Sequence, residues 1–125
     1  MSKYRQSLGR WGENLAADFL VELGYEIIEC NARTPYGEID LVARQPGSHD
    51  SPLVFVEVKT RASRAFGFPE ESITLRKRTH MLEAAQSYLQ AHPELDGDWR
   101  IDVIAIECQT SGFPPLITHF ENALG

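Results

Sequence analysis

The stretch "VFVEVKTR", Val54 to Arg61, decides how the chain folds. Val54, Val56 and Val58 alternate as side chains do along a β-strand. Leu53 and Phe55 occupy the other face. Both faces begin apolar, which predicts a central strand covered on its two sides. Glu57 and Lys59 then follow on the Leu53–Phe55 face, at the C-terminal end. A carboxylate or ammonium buried alone is prohibitively costly, so each needs a partner or a metal. The plain alternative is a Glu57–Lys59 ion pair at a solvated strand end, contributing about 0–1 kcal/mol.

Around this strand the periodicities alternate between three- to four-residue steps and two-residue steps. Residues 5–24 predict a helix with Leu8, Trp11, Leu15, Phe19 and Leu23 on one face, Ala16 and Leu20 beside them, and Gly24 as its stop. "YEIIEC" (25–30) predicts a strand, 31–37 a turn region broken by Asn31, Pro35 and Gly37, and "EIDLVAR" (38–44) a second strand, closing an antiparallel hairpin. After a loop at 45–52 comes the strand at 53–60. Residues 61–72 lack a clean period and read as a loop. A second helix is expected over 73–91, with Met81, Leu82, Ala85, Tyr88 and Leu89 on its apolar face. "WRIDVIAIE" (99–107) is a further strand and 116–120 a short edge strand. A strand–helix–strand unit closes as a parallel crossover, so the expected architecture is an α/β domain with a mixed central sheet and flanking helices.

The chain has 125 residues, 42% hydrophobic and 24% charged, which suits one globular domain. No apolar run approaches the roughly 20 residues that span a bilayer, and the N-terminal residues lack the apolar stretch of a secretory signal. Cys30 and Cys108 are too few for a disulfide framework, so a reduced cytoplasmic setting is expected. The net charge is −6, but six of the twelve basic residues fall between Lys59 and Arg78. A local positive patch on an acidic protein can still steer a polyanion.

Asp40 is the second anomaly. Aspartate is poorly suited to strands, yet Asp40 lies between Ile39 and Leu41. Strict alternation puts Ile39, Leu41 and Ala43 on one face and Glu38, Asp40 and Val42 on the other. If its strand neighbours 53–60, Asp40 approaches Glu57, and two adjacent carboxylates repel unless a cation or proton lies between them. Mg²⁺ suits such a site, since it takes carboxylate oxygens, waters and substrate phosphate. In "GRWGENLAA", Gly9 and Gly12 each cost a helix up to about 1 kcal/mol relative to Ala. A packing or functional reason is therefore expected, and Glu13 flanks the apolar stripe within reach of the same site.

Asp40 followed by Glu57-Val58-Lys59, on a helix–strand–strand–strand–helix–strand order, resembles the PD-(D/E)XK nuclease superfamily. The segments "GRWGENLAADFL", "GEIDLVA", "VFVEVKTR" and "RIDVIAIE" together are similar to one branch, the YraN family of bacterial endonuclease-like proteins with a Holliday-junction-resolvase-like fold. The resemblance spans about residues 5–107 and leaves 108–125 as a tail to a single domain. It implies a restriction-endonuclease-like fold, Asp40, Glu57 and the first-helix acid Glu13 as catalytic metal ligands together with the Val58 carbonyl, and Lys59 as the motif lysine at the phosphate. In place of the motif's proline, Ile39 precedes Asp40.

These implications converge on Mg²⁺- or Mn²⁺-dependent hydrolysis of DNA phosphodiesters, at branched or junction structures. The alternative is a nucleic-acid-binding module that does not cleave. Arg61, Arg64, Arg76 and Lys77 are the expected phosphate contacts. Phe66 and Phe68 either stack on splayed bases or cap the core. Resolvase-like relatives suggest a homodimer by analogy, and no membrane partner is expected. Asp102 repeats the pattern of a charge in an apolar strand and is assigned to support Arg100 or a strand end. The four histidines lack zinc-helix spacing, and no GxxxxGK[ST] phosphate loop occurs.

Overall fold

A computed structural model describes residues 3–61, 74–109 and 112–124, with side chains from residue 7 onwards. Chain order is α1 (Lys3–Glu22), β1 (Glu26–Thr34), β2 (Gly37–Arg44), β3 (Leu53–Arg61), α2 (Leu75–Ala91), β4 (Trp99–Glu107) and β5 (Leu116–Phe120). The strands form one mixed sheet in the order β1-β2-β3-β4-β5. β3 is central, antiparallel to β2 and parallel to β4 across the α2 connection. The expected mixed α/β architecture is present. The edge strand β5 pairs antiparallel with β4, so the C-terminal segment completes the sheet.

The sheet is covered on both faces. Val54 and Val56 of β3 pack with Ala16 and Leu20 of α1 and with Ile104 and Ile106 of β4. Phe55 packs on the other side with Ala84, Ala85 and Tyr88 of α2 and with Ile101. The alternation in "LVFVEV" thus places each side chain under its own helix. Thr74 caps α2, its hydroxyl accepting from the Lys77 N–H at 3.1 Å.

Three expectations change. The buried stripe of α1 is Gly12–Ala16–Leu20, while Trp11 and Leu23 are exposed. At Gly12 the helix lies too close to the sheet for a larger residue. A Cβ on Gly12 would stand 3.0 Å from Thr60 Cβ, 3.1 Å from its Cγ2 and closer still to its Oγ1; at Gly9 it would meet nothing within 4 Å. Gly12→Ala is therefore expected to destabilise by about 1–3 kcal/mol through overpacking, and Gly9→Ala to stabilise by up to about 1 kcal/mol. Urea melts of both, with Thr60→Ala added to Gly12→Ala as partial rescue, check the assignment.

Second, β1 continues to Thr34, so the turn is only Pro35–Tyr36, with Thr34 opposite Gly37. Asn31 acts inside a strand, at φ 54°, where the sequence suggested a turn. Third, strict alternation fails in β2. Leu41 and Ala43 pack on the α1 side, but Ile39 joins Val42 and Phe55 on the α2 side. The slip falls at Asp40, and the β2–β3 pairing ends next to it, at Leu41↔Val56.

Candidate active site

Beyond Leu41↔Val56 the two strands part, and Asp40 fills the gap. Its Oδ2 accepts the Val58 N–H at 2.8 Å, taking the place of a ladder carbonyl. The N–H and C=O of one strand residue point to the same edge, so the Val58 carbonyl is directed to the Asp40 side as well. Glu57 and Lys59 project beside this gap, their side chains 24% and 14% exposed, with Lys59 Nζ 3.3 Å from Glu57 Oε1. The ion pair expected as the plain alternative is thus formed, within a larger charged group.

That group extends to both helices. From α1 comes Glu13. Opposite Asp40 on β1, between the pairs Cys30↔Leu41 and Ala32↔Ile39, lies Asn31. With its amide nitrogen turned to the acids, Asn31 donates to Glu38 Oε1 at 2.7 Å and Glu13 Oε1 at 3.1 Å. The reverse orientation would set an amide oxygen against two carboxylates. From α2 comes Lys77, whose amine stands beside that of Lys59.

The electrostatics follow from this crowding. Burial first, then the charges of Glu57, Glu13 and Glu38, push Asp40 up to about 7, against the Val58 N–H bond that favours the carboxylate. Glu13 is also raised, by burial and then by Glu38 and Glu57, while Asn31 and Arg10 oppose the shift. Lys77 is lowered, first by the neighbouring Lys59 amine and then by burial, while Glu57 opposes the shift. Acids and amines crowded at one strand end in this way are typical of sites that do chemistry.

Of the expected site residues, Asp40, Glu57, Val58 and Lys59 gather where β2 and β3 part, and Glu13 joins them through Asn31. Lys77, expected along a phosphate track, reaches Lys59 itself. Arg61 ends β3 opposite Glu107, and its charge acts on Lys77. Arg76 is exposed in the first turn of α2. Arg64, Phe66 and Phe68 lie outside the described residues. Sequence reasoning missed Glu38 and Asn31. A two-residue turn at Pro35–Tyr36 would have revealed both, because that register sets Asn31 against Asp40 and Arg33 against Glu38.

Among the described residues, no three His, Cys, Asp or Glu side chains converge closely enough to encage a metal by themselves. The donors are nevertheless hard oxygens, which suit Mg²⁺ held by one or two carboxylates with waters and substrate phosphate. Asp40, Glu57 and the Val58 carbonyl are the residues that fit such an ion.

Residues 12–106 match the model of the uncharacterised protein family UPF0102. This chain belongs to the UPF0102 family. It is 40% identical to a UPF0102 protein of Dehalococcoides mccartyi, over 100% of this chain and 98% of that one. It is 44% identical to one from Syntrophotalea carbinolica, over 98% and 95%, and 48% identical to one from Roseiflexus castenholzii, over 85% and 83%. The YraN resemblance read from the four segments is this UPF0102 family. Among solved structures, the chain is similar to Pyrococcus furiosus SfsA in complex with Ca²⁺ at TM-score 0.39 and 18% identity, covering 94% of this chain and 63% of that one. No helix among the described residues is long and apolar enough to cross a membrane.

Proposed function

We propose that this UPF0102 protein is a Mg²⁺- or Mn²⁺-dependent endonuclease that hydrolyses DNA phosphodiester bonds, with branched or junction DNA as its substrate class. The observation that carries this reading is Asp40 held by the Val58 N–H where β2 and β3 part, with Glu57 and Lys59 on either side of Val58 in β3.

Phosphodiester hydrolysis adds negative charge to the attacked phosphate and the leaving oxygen. A divalent ion held by Asp40, Glu57 and the Val58 carbonyl would supply Lewis-acid stabilisation of that charge and lower the pKa of bound water. The chain's own part is positioning and charge. The strand hydrogen bond fixes Asp40. Lys59 presents a compact ammonium to a non-bridging phosphate oxygen and, with Lys77 beside it, attracts the backbone. Glu13 and Glu38, tied through Asn31, hold the acidic wall and restrict where an anion enters.

Lys59→Ala is expected to lower the cleavage rate at least about 100-fold, the scale of removing one preorganised electrostatic group. The variant should still fold, with a lower melting temperature because Glu57 loses its partner beside Asp40. The assay is a panel of labelled linear duplex, flap, four-way junction, single strand and RNA with Mg²⁺ or Mn²⁺. A variant that cleaves as fast as the wild type would remove Lys59 from the mechanism. The open spacing of the acids favours a second reading, a nucleic-acid-binding module of the same fold. In that case the panel gives salt-dependent binding and no metal-dependent product.

A further inference from the structure

Beside the charged group, on its α2 side, the structure contains a cavity of about 220 Å³. Ile39, Phe55, Met81, Ala84 and Ile101 form its apolar walls, between the sheet and α2. Its polar lining is Glu38, Glu57, Lys77 and His80, and half-exposed Tyr36 stands beside it. Two of these, Glu57 and Lys77, also belong to the proposed hydrolytic site. The cavity therefore begins where a phosphate would be held.

We propose that this cavity receives one unpaired nucleobase of the bound DNA, next to the phosphate held at Lys59 and Lys77. The inference rests on the nucleic-acid reading above and narrows its substrate class to DNA with an unstacked nucleotide at the site. The chemistry of the lining favours a base. An apolar slot takes a flat heterocycle out of water, with Tyr36 available to stack on its face. Glu38 and Glu57 accept from exocyclic amino groups. Lys77 supplies the cation that the attached phosphate needs. A base stacked in regular duplex cannot enter, whereas one already unpaired avoids the energy of unstacking. Branch points and bulges offer such bases.

The test measures binding in EDTA and again in Ca²⁺, so that cleavage is not the readout. Three labelled duplexes are compared by fluorescence anisotropy: fully paired, with one unpaired nucleotide, and with an abasic residue in the unpaired position. Wild type is expected to prefer the unpaired base over the abasic residue about tenfold, within the range of one stacked base. Ala84→Leu, which fills the cavity from the α2 wall, should reduce that preference to none, and Tyr36→Ala should reduce it several-fold. Tyr36 is half-exposed, so this second variant carries the test if Ala84→Leu does not fold. Lys77→Ala should weaken all three duplexes alike. Equal wild-type affinity for the three duplexes, no binding at all, or a preference that survives both Ala84→Leu and Tyr36→Ala overturns the proposal. A preference for the unpaired base without cleavage of any substrate would remove the nuclease reading and leave the pocket. Cleavage indifferent to the base and to both pocket variants would do the reverse.

Discussion

Asp40→Asn is expected to abolish metal-dependent cleavage and, at the same time, to make the protein more stable in mildly alkaline buffer without metal. Asp40 is raised from 3.8 to about 7 by burial and by Glu57, with smaller contributions from Glu13 and Glu38. The folded state therefore holds the Asp40 proton more tightly than the unfolded state. As pH rises from about 4 to 7, the unfolded chain loses that proton first and stability falls. At about 1.4 kcal/mol per pKa unit, the ionised carboxylate destabilises the fold by on the order of 2–4 kcal/mol above pH 7. Asparagine keeps an oxygen to accept the Val58 N–H and removes the charge. Its advantage should be absent near pH 4, grow through the window to pH 7 and stay level above it. Mg²⁺ should raise the melting temperature of wild type at pH 8 and leave Asp40→Asn unchanged, because binding to the folded state alone stabilises it by mass action. Thermal melts at pH 4, 6 and 8, with and without Mg²⁺, read both effects. Cleavage should fall about 1,000-fold or more, the scale of losing several kcal/mol of transition-state stabilisation. If the variant is less stable than wild type at pH 8, the like-charge account of Asp40 is wrong, whatever happens to activity.

The sequence declared this site where it broke local rules. Glu57 and Lys59 in a strand with two apolar faces, and Asp40 between Ile39 and Leu41, are placements that strand propensity disfavours. Sites are expected where local pattern and global fold conflict. The remaining parts obeyed local rules and so gave no signal. Glu38 opens a strand, where a solvated glutamate is ordinary. Asn31 reads as a turn residue because its side chain tolerates positive φ, and it uses that tolerance inside β1, at φ 54°. On α1 the apolar pattern points to a different stripe for a related reason. Hydrophobic periodicity gives most weight to Trp11, Leu15 and Phe19, but the distance between α1 and β3 is set by Gly12 against Thr60, and close approach selects small residues. Charge alone points to Lys77; its position beside Lys59 depends on where α2 begins after the connection from β3. β4, with an unbroken apolar run from Val103 to Ile106, offered no such ambiguity, and its bounds of Trp99–Glu107 are those read from the sequence.

A second strand aspartate should behave in the opposite sense. Asp102 is fully buried in β4. Its Oδ1 accepts from Arg100 Nε at 2.9 Å and from the Asn122 N–H at 2.9 Å. Its Oδ2 accepts from His119 Nε2 at 2.7 Å and from Arg100 Nη2 at 3.2 Å. Arg100 also reaches the Gln45 side chain and the Tyr25 hydroxyl, the latter at 2.9 Å. The expected support of Arg100 is therefore present, and it extends to β5 and the residues after it. Burial acts against the Asp102 charge, but the hydrogen bonds from His119, Arg100 and the Asn122 N–H outweigh it and hold the pKa below its ordinary value. Here the unfolded chain binds the proton more tightly. The carboxylate's contribution is complete above pH 4 and is lost as pH falls through the lower, folded pKa. Asp102→Asn leaves Arg100 facing a neutral amide, which cannot accept from all four donors. At pH 7 this should cost about 3 kcal/mol, near the low end for breaking a buried pair, or a melting temperature roughly 10 °C lower for a domain of this size. The deficit should narrow below pH 4 as wild type takes up its own proton. The two substitutions remove one negative charge each from a strand aspartate, half-buried at Asp40 and fully buried at Asp102, and their opposite signs at pH 8 follow from what surrounds the charge. Around Asp40 there are three further carboxylates and one backbone N–H. Around Asp102 there are a guanidinium, an imidazole and a backbone N–H. A fold that fully satisfies one buried carboxylate and leaves another crowded by like charges keeps the second in a state that a cation would relieve.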